Sequence, residues 1–180
     1  LRAVILLSAL ISTPVLAADK LYYPYVTKGE LEVEYFGSRS VDSDSTKDNA
    51  QKQQFCVGYG VSDWWKTELY GKFARDPQSS TSFDAWEWEN IFQFTDQGQY
   101  WLDVGASLAY EYTPQSSRAD TVEARLLLEK DFSKISHVLN VILEKDVGSG
   151  LKAGLESTVL WSSRYRYSGY FEPGFEISSD

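Results

Sequence analysis

"YWLDVGASLAYEY", residues Tyr100–Tyr112, shows the alternation of the chain at its clearest. Tyr100, Leu102, Val104, Ala106, Leu108, Tyr110 and Tyr112 fall on one side, and Asp103, Gly105, Ser107, Ala109 and Glu111 on the other. A period of two is that of a β-strand, whose successive side chains point to opposite faces. The composition of the faces narrows the choice of fold. The apolar face is aromatic, and the polar face carries full charges that a dry core holds only at high cost.

The same pattern recurs on both sides of this stretch. "GELEVEYFGSR" sets Leu31, Val33 and Tyr35 against Glu30, Glu32 and Glu34. "QQFCVGYGV" sets Phe55, Val57, Tyr59 and Val61 against Gln54, Cys56 and Gly58. "WWKTELYGKF" opposes Trp65, Leu69 and Phe73 to Lys66, Glu68 and Lys72. "FDAWEWENIFQF" opposes Trp86, Trp88, Phe92 and Phe94 to Glu87, Glu89 and Gln93. "TVEARLLLEKDF" separates Val122, Ala124, Leu126 and Leu128 from Glu123, Arg125 and Glu129. "HVLNVILEKDV" and "LKAGLESTVLW" continue it, the latter with Leu151, Ala153, Leu155, Val159 and Trp161 opposite Lys152, Gly154 and Glu156. A last strand is expected near Tyr170–Ile177.

Between these runs, the Ser/Asp-rich stretches "SRSVDSDSTKDNAQK", "RDPQSSTS" and "TPQSSRAD" alternate with the compact turns "VSDW", "TDQGQ" and "FSKIS". Long and short connections in turn describe an up-and-down meander whose two ends meet different surroundings, as in outer-membrane barrels. Runs of about ten residues also suit a tilted strand crossing a bilayer. The expected fold is therefore all-β, an antiparallel up-and-down transmembrane β-barrel. Tyr59, Trp64 and Trp65 flank one short turn, and Phe94, Tyr100 and Trp101 another. They are expected to form an interfacial girdle, since indole and phenol are amphipathic. Trp65 would face lipid headgroups and Trp64 the mouth of the lumen.

The 180 residues suit one domain, and the lone Cys56 excludes an internal disulfide framework. Cys56 is expected to be a small buried side chain. With a single His and no Met, no metal site and no cofactor are expected. A net charge of −9 with no basic stripe speaks against nucleic acid. Arg2, the apolar "AVILLSALISTPVL" and the small-residue site Val15–Ala17 read as a cleaved signal peptide over residues 1–17, leaving 18–180 as the barrel domain. The chain starts on Leu and ends in "FEISSD" in mid-pattern, so the reading allows for a barrel incomplete at its C-terminus.

"GYGVSDWWKTELY", "WEWENIFQFT", "GQYWLDVGASLAYEY" and "YFEPGFE" together resemble outer-membrane β-barrel proteins grouped with phenol-degradation (MetA-pathway) proteins. The resemblance runs over roughly Gly29 to Glu176 and contains no catalytic signature. It implies an outer-membrane barrel and a channel for small apolar or aromatic molecules.

The barrel reading places Glu32, Glu34, Lys66, Glu68, Glu87, Glu89, Asp103, Glu123, Arg125 and Glu156 in the lumen. Such a lining either tunes solute selectivity or braces the barrel through cross-lumen ion pairs. The expected pairings join Lys66 and Glu68 to Glu87 and Glu89, and Arg125 to Asp103 or Glu144. No enzyme is expected. The only imidazole, His137, lies beside Ser136 in an expected short turn, without a Gly-x-Ser-x-Gly elbow. The expected partners are outer-membrane lipids and a small solute, and the expected function is passive passage or binding of that solute. The sequence leaves the oligomeric state open. Two alternatives stand beside this reading: a soluble periplasmic β-barrel binding an apolar ligand, and a structural barrel without a transport role.

Overall fold

A computed structural model of the chain describes residues 2–12, 20–115, 118–148, 154–168 and 171–179, with side chains from residue 20 onward. Its strands are β1 (Arg2–Ser12), β2 (Glu30–Ser40), β3 (Gln51–Gly60), β4 (Trp65–Arg75), β5 (Ser82–Gln93), β6 (Asp103–Tyr112), β7 (Asp120–Phe132), β8 (Ile135–Val147), β9 (Leu155–Tyr165) and β10 (Gly174–Ser179). They form one open sheet in sequence order. From β2 to β10 every neighbour is antiparallel, so the nine strands make a simple up-and-down meander. The described residues contain no helix.

The faces are inverted relative to a water-soluble sheet. Glu34, Glu68 and Glu89 are 2%, 1% and 2% exposed, whereas Val57, Leu69 and Trp88 are 53%, 51% and 56% exposed. The charged face is covered because the sheet curls around residues 20–28, the segment that precedes β2. In a flat sheet β4 and β8 would lie four strand spacings apart, about 19 Å. Yet Tyr22 alone hydrogen-bonds to Tyr70 of β4, Glu89 of β5 and Asn140 of β8. This segment is a strap laid along the concave, charged side.

Two glycines make room for it. A Cβ on Gly60 would stand 2.0 Å from the Thr27 carbonyl oxygen, and one on Gly105 would stand 3.0 Å from Pro24 Cβ. Both glycines lie on the inward register of their strands, so a side chain there would push into the strap. Just beyond Gly60, the Gly29 N–H donates to the Gly60 carbonyl at 2.7 Å and fixes where the strap turns into β2.

The stretch read as a leader lies in parallel beside β2, from Arg2↔Glu30 to Ser12↔Ser40, and its expected cleavage site lies outside the described residues. The structure corrects several expectations about the later strands and connections. The strand expected from Leu151 begins at Leu155, with residues 151–153 outside the description. The last strand starts only at Gly174, after Pro173. The contrast between long and short connections is weaker than the sequence suggests, because 94–102 is longer than the 76–81 loop at the other end. His137 belongs to β8, not to a turn, and its ring stacks on Trp161 at 6.0 Å. Ser136 points to the opposite face, where it donates to Glu129 at 2.7 Å, so the two do not form a pair.

Gly60→Val is expected to displace the strap and to lower unfolding stability by about 1–3 kcal/mol, the usual cost of overpacking. Denaturant unfolding gives the stability, and limited proteolysis near Lys20 and Lys28 gives the displacement. Unchanged stability and protection would contradict the close approach.

Candidate functional site: a charged concave face closed by the strap

The inward positions of β2 to β8 form the site. Period-two alternation delivers Glu32 and Glu34 from β2, Lys66, Glu68, Tyr70 and Lys72 from β4, and Glu87 and Glu89 from β5. Asp103 and Glu111 come from β6, Glu123, Arg125 and Glu129 from β7, and Asn140 from β8. Of the residues expected in the lumen, all but Glu156 gather on this covered face. Glu156 shares its register but is exposed, across from Glu144.

The ion pairs differ from those expected. Lys66 bonds Glu32 on β2 and, at 2.6 Å, Glu68 on its own strand. Lys72 bridges Glu87 at 2.5 Å and Glu111 at 2.6 Å, joining β4, β5 and β6. Arg125 pairs with Glu123 at 2.9 Å and donates to the Lys20 carbonyl of the strap. Register explains the difference, since it puts Glu68 directly opposite Glu89 and Lys66 opposite Ile91. Two like charges opposite each other disfavour a sheet, and something must be inserted between them.

Tyr22 is that insertion. Its hydroxyl lies 2.6 Å from Glu89 Oε2 and 2.6 Å from the Tyr70 hydroxyl, which in turn lies 2.7 Å from Glu68 Oε2. The chain Glu89–Tyr22–Tyr70–Glu68 thus has three short links, while the two phenols bring only two protons. Closing all three takes one further proton, shared with a carboxyl. Burial, with Glu89 and Glu68 alongside, pushes the Tyr22 hydroxyl well above its ordinary range, so it keeps its proton and donates. At its other end, the Tyr22 N–H donates to Asn140 Oδ1 at 2.8 Å, and Asn140 Nδ2 donates to the Tyr22 carbonyl at 2.9 Å. The Lys20 ammonium and the Arg125 guanidinium lie 4.8 Å and 4.7 Å from the centre of its ring, a cation–π arrangement.

The remaining strap residues are fixed in the same way. The Tyr25 hydroxyl donates to Asp103 Oδ2 at 2.7 Å, and the Val26 N–H donates to Gln93 Oε1 at 2.7 Å. The Lys20 ammonium bonds Glu34. Burial opposes its charge, but Glu68 and Glu34 outweigh that and hold the ammonium above its ordinary range. Glu34, Cys56 and Glu68 present ligand atoms all within 4.8 Å of one another. The cation beside them is the strap's own lysine.

The expected girdle residues lie at the short-turn end. Tyr59, Trp64, Phe94, Tyr100 and Trp101 are exposed there, and Trp65 is half-buried. Trp64 does not reach the mouth of the concave face. It stacks on Phe92 at 6.2 Å and lies 6.5 Å from Trp65, on the apolar side. Adjacent strand residues diverge, but Trp64 precedes β4 and is free to fold back onto the face that Trp65 occupies.

Sequence reasoning missed Lys20, Tyr22, Tyr25, Tyr70 and Asn140 as site residues. The signal available was "LYYPYV", a dense aromatic cluster around a proline with no alternation, directly after the apolar first segment.

No family model, curated protein or solved structure matches this chain. The likeness to the phenol-degradation group rests on the quoted segments alone.

Tyr22→Phe removes the central hydroxyl and leaves one buried donor and one buried acceptor without their partner, at an expected cost of about 1–3 kcal/mol. Glu89→Gln is expected to cost less, because its amide can donate where a proton is short. Denaturant midpoints of the two variants test this, and an equal or greater loss in Glu89→Gln would contradict the proton count.

Proposed function

We propose that this chain is an exported outer-membrane β-barrel protein in which the N-terminal strap restricts passage or binding of small solutes along a charged interior. The observation that carries the reading is the inversion of the sheet. Carboxylates and ammonium groups are covered, while Phe55, Val57, Leu69, Trp86, Trp88, Leu108 and Leu126 are exposed on the other face. In water that apolar face would be a large aggregation-prone surface, whereas in a bilayer it is the surface that lipid requires.

The strap sets what the interior does. While Tyr22 bridges β4, β5 and β8, the middle of the concave face is occupied by the chain itself. Solutes therefore pass or bind only beside the strap or after it withdraws. The filled interior also favours a second reading, a structural barrel with no transport role. Export through residues 1–17 belongs to the same proposal.

Cell fractionation tests the location. The protein is expected in the outer-membrane fraction, extracted by detergent, with a mobility on denaturing gels that changes on heating. Recovery from the soluble periplasm would sink the membrane reading. Planar-bilayer recording then separates the two barrel readings. Wild-type protein is expected to conduct weakly, and Tyr22→Ala to conduct several-fold more. Equal, negligible conductance from both, in protein that shows the heat shift, would favour the structural barrel.

A further inference from the structure

On the apolar face, at the short-turn end, Leu102, Leu128, Lys130, His137, Leu139 and Trp161 line an open groove of about 350 Å³. Its floor is leucine. His137, stacked on Trp161, makes one wall, and the register sets Lys130 directly across from His137. The Lys130 ammonium lies 5.4 Å from the centre of the Trp101 ring and 5.8 Å from that of Phe132. It forms no salt bridge among the described residues. Lys130 is also the one cation that the described strands place on this face at this end, since Arg39, Arg75 and Lys145 fall at the other.

Lys66 and Lys72, the strand lysines covered within the concave face, are both matched to carboxylates. Lys130 instead stands among aromatic rings above an apolar trough. That combination fits a ligand with an anionic head and a hydrocarbon tail. We propose that this groove binds one anionic glycerophospholipid, its phosphate on Lys130 and one acyl chain along Leu128 and Leu139. The inference rests on the membrane reading above and assigns a lipid class and a position to it. Charge complementarity selects the occupant: a zwitterionic lipid brings a cation of its own beside the phosphate, and a second copy of this chain brings a net negative charge but no hydrocarbon tail. Indole beside the phosphate is the usual placement of tryptophan at a bilayer interface.

The test uses full-length protein mixed with vesicles of phosphatidylcholine and phosphatidylglycerol at 4:1, floated to isolate inserted protein, and examined by native mass spectrometry. Wild type is expected to keep one phosphatidylglycerol per chain in preference to phosphatidylcholine. Lys130→Gln is expected to reduce that retention about fivefold, the factor one cation near an anionic surface supplies. Lys145→Gln, at the far end of the same face, is expected to leave it unchanged. Floated protein in which Lys130→Gln and wild type retain phosphatidylglycerol equally would overturn the groove and leave the membrane reading standing. So would a dimer that Lys130→Gln disperses without any lipid adduct. Protein that does not float with the vesicles would overturn both.

Discussion

A sheet that turns its charges inward is held together only while those charges neutralise one another. Removing one partner of a buried ion pair leaves an uncompensated charge, which costs far more than the pair contributed. Here Lys66 and Lys72 each reach carboxylates beyond their own strand. Lys72 ties β4 to β5 and β6, and Lys66 ties β4 to β2. The arrangement is a set of staples across the ladder, while the middle of the outer face is apolar.

The strap answers a problem that the strands create for themselves. Register brings Glu68 and Glu89 opposite each other, and the phenols of Tyr22 and Tyr70 bridge them. Lys20 and Arg125 bring positive charge to the same spot. Because the strap lies close to the sheet, Gly60 and Gly105 act as notches rather than as weak points in their strands. A glycine within a strand often marks such a close approach.

Much of the sheet was legible in the sequence because alternation is a local signal. The segment Asp103–Tyr112 reads the same from its residues as from its burial, and alternation likewise gives the inward register of Glu34, Glu68 and Glu89. Pairings were not legible, since which carboxylate Lys66 meets depends on register between strands and not on spacing along one. The placement of Trp64 failed for a related reason: alternation says nothing about a residue that precedes its strand. The strap was invisible because it has no period and its partners are distant in sequence. Tyr22 meets Glu68 and Tyr70 across 46 and 48 residues, and Asn140 across 118.

That last separation bears on how the molecule is made. Every strand pair in the meander can form as a local hairpin, but Tyr22 finds Asn140 only after β8 has been laid beside β7. The strap, first among the docked segments in sequence, therefore waits for nearly the whole sheet before it can dock. Long-range closure of this kind pays its loop entropy before any contact repays it, which slows folding. Docking of Tyr22 is thus a late step in assembly, and it certifies that β4, β5 and β8 have reached their places.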